Sequence, residues 1–432
     1  MYDHRIDLNL EDRVTLLHGP NGVGKTSILR MIDGLLRNNF THFRRIPFAR
    51  ILLGFQDASV LELRTDRDAG RNQESGKLTL TTKHGQDRSS TVSLGPSEAE
   101  SIAAKVDFLR PHASAPDTWI DVTDGEVLSE SEVLSRFRGL PPGRKNRLKK
   151  SPAWLREFLN SANTYLIEAQ RLVRTPWDPG SADDFRFRRS RRPAPFISRV
   201  EECSLDFQIR LSDTMATYGR QAQTLDQTFP QRLISATAQL SQDELRDRMT
   251  TLDKKTEEFK SIGILDETPA HPFDANSLRD MDYTQARVMT LYVQDTEGKL
   301  EALDNLASRT RLLLDNVNGK FRNKQIRLDR NSGLVAEMDG NLPLPLEALS
   351  SGEQHELVLH YDLLFRVRPN TVVLIDEPEL SLHVGWQKKF LPDLKQIVEL
   401  SGFDAVVATH SPFIVGDDDD LMVGLGDVDS PA

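Results

Sequence analysis

Residues 19–27 read Gly-Pro-Asn-Gly-Val-Gly-Lys-Thr-Ser, and the residues on either side decide what that stretch is. Val14-Thr15-Leu16-Leu17, just before it, is short, apolar and rich in strand-favouring side chains. Just after it, Ile28, Leu29, Ile32, Leu35 and Leu36 recur on one face of a helix. Strand, glycine-rich turn and helix together are the setting in which G-x-x-x-x-G-K-[ST] forms a phosphate loop. Gly19, Gly22 and Gly24, with Asn21 between them, let main-chain N–H groups curl around a phosphate at the positive end of the helix dipole. Lys25 is placed to bridge phosphate oxygens, the Thr26 hydroxyl to ligate Mg2+, and Ser27 to extend the loop's donors into the helix.

Three further pieces lie more than 300 residues downstream: LSSGEQ at 349–354, VVLIDEPE at 372–379 and ATHS at 408–411. Thr371–Ile375 and Ala405–Ala408 are continuous apolar runs, as in parallel strands buried on both faces. Asp376 ends the first run, and strand ends at the top of a parallel sheet are where ligands bind. Asp376 is therefore expected to hold Mg2+ through water, and Glu377 to take a proton from an attacking water. Taken alone, the two are simply solvated acids at a strand end. Ser350, Gly352 and Glu353 open a helix that carries Leu357, Val358, Tyr361 and Leu364. That start reads either as an anion-binding helix N-terminus or as an ordinary cap, with Ser350 or Ser351 capping and Glu353 or Gln354 closing the box. His410 follows the second run and is placed either to contact a terminal phosphate or to orient Glu377.

Between these pieces the chain changes character twice. Residues 60–95 read as short strands (LELR, KLTLTT, TVSL) joined by polar turns, an antiparallel subdomain. Tyr165-Leu166-Ile167 resumes a strand. The stretch 176–200 is rich in Pro, Arg and Asp, 200–260 is polar and helix-favouring, and 282–321 reads as one long helix. A helical hairpin or a short coiled-coil arm fits this better than a compact core. Gln325–Leu328 and Gly333–Ala336 read as a hairpin, after which the α/β pattern returns. Three segments are expected: 1–175, the first half of an α/β core; 176–320, a helical insertion; and 321–432, the second half.

The chain has 432 residues, 38% of them hydrophobic and 28% charged, with a net charge of −10. Two or three structural units fit that length. The acidic balance argues against uniform coating of nucleic acid. Two local runs oppose it, Arg144–Lys150 (RKNRLKK) and Arg186–Arg192 (RFRRSRR). The second interleaves a phenylalanine with arginines, which suits phosphate contact plus base stacking. DNA, RNA, an acidic protein or plain solvent are all open as its partner. Asp417–Asp420 reads as a solvated acidic turn rather than a metal site. No window approaches the roughly 18 apolar residues of a membrane helix. The single cysteine, Cys203, leaves no internal disulfide, and the N-terminus has no apolar core before a cleavage site. A cytoplasmic setting is expected.

The four motifs together resemble those of ABC-type ATPases of the SMC/RecF/OLD-like branch, members of the wider AAA-type ATP-binding proteins. GPNGVGKTS resembles their Walker A motif, LSSGEQ their signature, VVLIDEPE their Walker B motif and ATHS their switch histidine. DEPELSLHVGWQ resembles soluble OLD-like members more than transporter subunits. The resemblance covers about 1–175 and 321–420 and implies an α/β P-loop ATPase head split by a helical insertion. It implies ATP and Mg2+ as cofactors and Glu377 as general base. Gln170, in YLIEAQRL, falls where the branch has its Q-loop and would contact Mg2+ and the lytic water. Two subunits would sandwich ATP, with Ser350 completing the partner's site. The sequence departs from the family pattern at Ser351, where many relatives have glycine, and at His383 of Ser381-Leu382-His383, where transporters have aspartate.

Soluble members without a nuclease of their own resemble ATPase components of bacterial antiphage systems such as Septu, PARIS and retron-linked ATPases. A companion nuclease or other effector would then be the partner. The same core also serves RecF- or SMC-like DNA repair, which implies ATP-dependent duplex binding. A third reading is a scaffold that binds ATP and scarcely turns over. No membrane partner is expected.

Overall fold

The computed structural model describes residues 4–37, 40, 43, 48–66, 77–84, 88–94, 103, 106, 109–111, 118–122, 127–129, 133, 163–169, 172, 175–176, 196–235, 240–266, 282–380, 382–416 and 418–425. Gln170, Ser381, Asp417 and both basic runs lie outside the described residues. Contacts divide the chain into two compact units. One comprises Met1–Glu168, Pro369–Pro378 and Phe403–Ala432, the other Ala169–Arg368 and Glu379–Gly402.

The first unit is built on a parallel five-stranded sheet. Strand β1 (Val14–His18) leads into helix α1 (Lys25–Leu36). The antiparallel strands β2 (Arg50–Gly54), β3 (Val60–Asp66), β4 (Lys77–His84) and β5 (Arg88–Leu94) follow in sheet order β2-β3-β4-β5. Strands β6 (Leu109–Pro111), β7 (Thr118–Asp121) and β8 (Val127–Ser129) form a third sheet around the buried Trp119. Strand β9 (Asn163–Ile167) then joins the parallel sheet.

That sheet places in one layer strands that the sequence separates by hundreds of residues. Ile375 pairs with Ile167 on one side and with Val407 on the other, and Leu17 pairs with Ala408. Every one of these pairings is parallel. The apolar runs foreseen at 371–375 and 405–408 are its inner strands, buried as parallel central strands must be. Leu17, Leu29, Leu374, Val406 and Ala408 form the core under α1. A second core joins Leu35, at the end of α1, to Phe43, Leu61, Leu63, Leu78 and Leu80. Leu61 and Leu63, then Leu78 and Leu80, alternate with residues on the opposite face, the period-two signature of a half-buried antiparallel sheet.

The second unit opens with the short pair β10 (Thr175–Pro176) and β11 (Phe196–Ile197). Helices α2 (Arg199–Ser235), α3 (Gln242–Ser261) and α4 (Tyr283–Asn318) follow. The long helix expected at 282–321 is α4. Helix α4 packs along both α2 and α3, burying Leu300, Leu303, Thr310, Leu313 and Val317. Capping boxes Ser241/Glu244 and Asp282/Gln285 start α3 and α4. Polar contacts fix the register of α2 on α4: Gln221 donates to the Gly298 carbonyl at 2.7 Å, and Lys299 pairs with Asp226 at 2.7 Å. Strands β12 (Lys324–Asp329), β13 (Gly333–Met338) and β14 (Leu342–Leu344) form the expected hairpin with one strand added. Helix α5 (Ser351–Tyr361) continues as a π-turn over Asp362–Arg366. Back in the first unit is β15 (Thr371–Asp376). Helix α6 (Val384–Ser401) belongs to the second, and β16 (Asp404–Thr409), α7 (Pro412–Val415) and β17 (Met422–Gly424) complete the first.

Two buried charge clusters hold α5 within the second unit. On one side Lys320 pairs with Glu356, and with Asp393 at 2.6 Å, while His360 sits 3.3 Å from Glu356 and 3.7 Å from Asp393. Glu356, His360 and Asp393 have ligating atoms close enough together for a metal ion. The Lys320 ammonium already bridges the two carboxylates, so the cluster carries its own cation. Burial alone pushes the Asp393 carboxyl up, but His360 and Lys320 outweigh it and hold the group below the usual carboxylate range. On the other side Arg199 pairs with Asp362 at 2.9 Å, Arg366 with Glu202 at 2.9 Å, and the Tyr361 hydroxyl donates to Asp206 at 2.6 Å. Cys203, among these groups, is buried, and burial pushes its thiol up, consistent with an inert core residue.

Two sets of substitutions probe this unit. Lys320→Met leaves buried Glu356 and half-buried Asp393 without their cation, and is expected to lower the unfolding free energy by about 3–5 kcal/mol; adding Glu356→Gln should recover part of that loss in a urea titration. Gly333 (φ +79°) opens β13 and Gly340 (φ +84°) follows it with the same left-handed backbone, but a Cβ on Gly333 would lie 2.3 Å from the Ser204 carbonyl oxygen, whereas one on Gly340 meets nothing within 4 Å. Gly340→Ala should therefore cost only the backbone strain of about 1–2 kcal/mol, and Gly333→Ala distinctly more, read as a larger drop in urea midpoint.

Candidate functional site

Three of the four sequence motifs converge at the C-terminal edge of the parallel sheet. β1 ends at His18, and Gly19 starts the loop where a Cβ would lie 2.4 Å from the Leu425 carbonyl oxygen, so only glycine fits there. Gly22 (φ +83°) and Gly24 (φ +101°) take left-handed backbone that side chains rarely adopt, and Gly24 caps α1. Asn21 lies in the same turn, and Lys25, Thr26 and Ser27 form the first turn of α1. At Gly19 the loop runs hard against the Leu425 main chain, and at Gly22 and Gly24 it turns on left-handed backbone. Its geometry and its helix N-terminus fit the phosphates of a nucleotide.

The Lys25 ammonium lies at the centre of the cradle. It donates to the Gly19 carbonyl at 2.6 Å and lies 3.0 Å from His410 Nδ1. Lys25 is only 4% exposed, so its charge faces the loop rather than bulk solvent. An ammonium can only donate, so His410 Nδ1 accepts and the imidazole proton sits on Nε2. That Nε2 lies 3.6 Å from Glu377 Oε1. Lys25, His410 and Glu377 thus form one chain of polar contacts across the ends of β1, β15 and β16. It spans both alternatives foreseen for His410, contact with the phosphate side and orientation of Glu377.

Glu377 carries a positive φ of 43°, unusual for a residue with a side chain. Its N–H donates to the Ala408 carbonyl at 2.9 Å, pinning the turn to β16. Strain of this kind clusters at sites where geometry must be over-determined. Asp376, the last residue of β15, is 6% exposed and accepts from the Thr26 hydroxyl at 2.9 Å. Burial pushes the Asp376 carboxyl above its ordinary range and the Glu377 and Glu168 charges push the same way, while the Thr26 hydrogen bond and Arg30 oppose them. A hydroxyl and a carboxylate side by side are a hard-oxygen donor pair of the kind that holds Mg2+. Residues Thr26 and Asp376 fit that ion.

The signature segment lies in the second unit. Ser350 caps α5, its hydroxyl accepting from the Glu353 N–H at 3.4 Å while the Ser350 N–H donates to Glu353 at 2.7 Å. The ordinary cap foreseen as one reading of this segment is therefore formed. Gly352 sits in the first turn with Glu353. Burial pushes the Glu353 carboxyl up, but Lys324 at 2.8 Å and Ser350 outweigh it and hold it low. His383 caps α6, accepting from the Gly385 N–H at 3.1 Å. The pattern reading did not identify Arg30 and Glu168, which join at 3.1 Å beside this edge. The available signal was Arg30's position one helical turn after Thr26 on the same face of α1.

Comparison with known proteins adds the following. No curated protein matches the chain. Similar solved structures include an SMC head bound to the C-terminal winged-helix domain of ScpA, at 11% identity and a TM-score of 0.32, covering 95% of this chain and 85% of that one. The SMC head domain of Thermotoga maritima matches at 13% identity and a TM-score of 0.30, covering 97% and 87%. An SMC head with an extended coiled coil, bound to the C-terminal domain of ScpA from Pyrococcus furiosus, matches at 15% identity and a TM-score of 0.29, covering 95% and 86%. A family model described as "AAA domain, putative AbiEii toxin, Type IV TA system" matches residues 14–416, from β1 to the end of α7. The chain belongs to this family of AAA domains.

Proposed function

We propose that the protein is an ATP-binding and ATP-hydrolysing switch that controls a partner effector. The observation that carries this reading is the contact chain Lys25–His410–Glu377, set beside the Thr26–Asp376 pair. Lys25 and the loop N–H groups bind and orient the β- and γ-phosphates. Thr26 and Asp376 hold Mg2+, which when bound offsets phosphate charge. Glu377 takes the proton of the attacking water, and His410, with its proton on Nε2, holds the Glu377 carboxylate in place. Gln170 contributes to the metal and the lytic water.

Phosphoryl transfer needs charge stabilisation from several sides. The Ser350–Gly352–Glu353 helix N-terminus supplies it to a second copy of the chain, making a homodimer with composite sites. ATP closes that dimer, hydrolysis opens it, and the helical segment 176–320, lying between the core segments 1–175 and 321–432, transmits the change to a partner. A companion nuclease or other effector reads that change in a bacterial antiphage defence system, in the cytoplasm. The runs Arg144–Lys150 and Arg186–Arg192 are the candidate nucleic-acid contacts.

Lys25→Ala should abolish the rise in melting temperature that ATP produces. Glu377→Gln should keep ATP binding, lower turnover by about 10²–10⁴-fold, and trap an ATP-bound dimer visible by light scattering. Unchanged turnover in Glu377→Gln would sink the hydrolytic part of the reading and favour a scaffold. Asp376→Asn removes a buried negative charge, so it should melt higher than wild type without nucleotide. The same variant should lose the extra stabilisation that Mg2+ adds to ATP.

A further inference from the structure

The strand register places a third carboxylate at the metal side of this site. β9 and β15 pair in parallel with Ile167 opposite Ile375, so Glu168 and Asp376 emerge next to each other from adjacent strands. Glu168 does not stand alone. Arg30 donates to its Oε1 at 3.1 Å from α1, one helical turn beyond Thr26. Thr26 in turn donates to Asp376 at 2.9 Å. Residues Thr26 and Arg30 of one helix face therefore engage the ends of two neighbouring strands. Below them the same helix is tied to β9 again: the Thr164 hydroxyl donates to Asp33 at 2.9 Å, and Arg37 donates to the Thr164 carbonyl at 3.0 Å. These contacts fix where Arg30 and Glu168 stand relative to Asp376. Both side chains remain partly open to solvent, 31% for Arg30 and 53% for Glu168. The charges of both also act on Asp376, with opposite signs.

We infer that Arg30 and Glu168 are a positioning pair that sets the affinity of the Thr26–Asp376 site for a hydrated divalent cation. Glu168 adds negative potential at the cation, and its oxygens accept hydrogen bonds from the cation's waters. Arg30 holds Glu168 at the strand end and trims that potential. The inference rests on the nucleotide–magnesium reading above.

The role is separable from a structural one. Breaking the ion pair from either end removes the same contact, so a purely structural pair predicts two variants that behave alike. An electrostatic pair predicts opposite shifts. The full-length protein is held with saturating ATP, and MgCl2 is titrated while the melting temperature is followed. Glu168→Gln should raise the half-saturating Mg2+ concentration by about three- to tenfold, and Arg30→Gln should lower it by a similar factor, both shrinking at high salt. Arg30→Lys and Glu168→Asp keep the charges and should stay near wild type, which separates lost charge from misfolding. Shifts of the same sign in the two glutamine variants, or none in either, would overturn the inference. Wild-type protein with no Mg2+-dependent stabilisation would instead overturn the nucleotide reading, and this inference with it.

Discussion

The parallel pairing of β16 between β1 and β15 is the constraint from which the site follows. Parallel strands end on the same side, so whatever follows each strand emerges at one edge. β1 is followed by the glycine loop, β15 ends in Asp376 and is followed by Glu377, and β16 is followed by His410. The contacts at that edge join residues 350 and 385 positions apart in sequence. No local turn could bring these groups together. The core under α1 holds the register, since a one-residue slip would turn Leu374 and Val406 away from Leu29. Site geometry and sheet packing are in this sense one interaction seen from two sides.

The second unit solves a different problem, that of holding a short polar helix without a broad apolar stripe. Helix α5 buries Glu353, His355, Glu356 and His360 as well as Leu357, Val358, Leu359 and Tyr361. Buried charges are tolerated only when paired. Each acid here has a cation: Lys324 for Glu353, Lys320 for Glu356, Arg199 and Arg366 for Asp362. These cations come from β12, the turn just after α4, the start of α2 and the π-turn itself. Apolar contacts tolerate some sliding, whereas paired charges specify a position. The start of the signature helix is thereby set in one place within its unit.

Much of this was legible in the sequence, for definable reasons. The phosphate loop, the DE-ended strand and the histidine after β16 each carry a local pattern: an apolar run, then a short polar punctuation. The Ser350/Glu353 box is legible because a cap and its partner sit three residues apart. The hairpin at 325–336 and the helix α4 follow from periods of two and 3.6. The register of β9 against β15 has no local signature, and so the nearness of Glu168 to Asp376 could not be read. Lys320, Glu356 and Asp393 come from three separate elements, and each alone looks like a surface charge. The π-turn over Asp362–Arg366 was also hidden, since no local pattern in those residues marks it.

The site also shows where the fold runs against its own stability. Asp376 is a carboxylate in a place that disfavours its charge, Glu377 sits on left-handed backbone, and the loop uses glycine at positions where other residues would be stiffer. Each feature costs about 1–3 kcal/mol where it is measured in other proteins. All of them occur within a few residues of one sheet edge, and the surrounding strands are apolar and buried. The cost is concentrated at that edge, and the rest of the sheet supplies the stability that offsets it. A sequence selected for folding alone would place an apolar residue at 376 and glycine or asparagine at 377. The residues present at those two positions run against folding, as the hydrolytic roles proposed for them require.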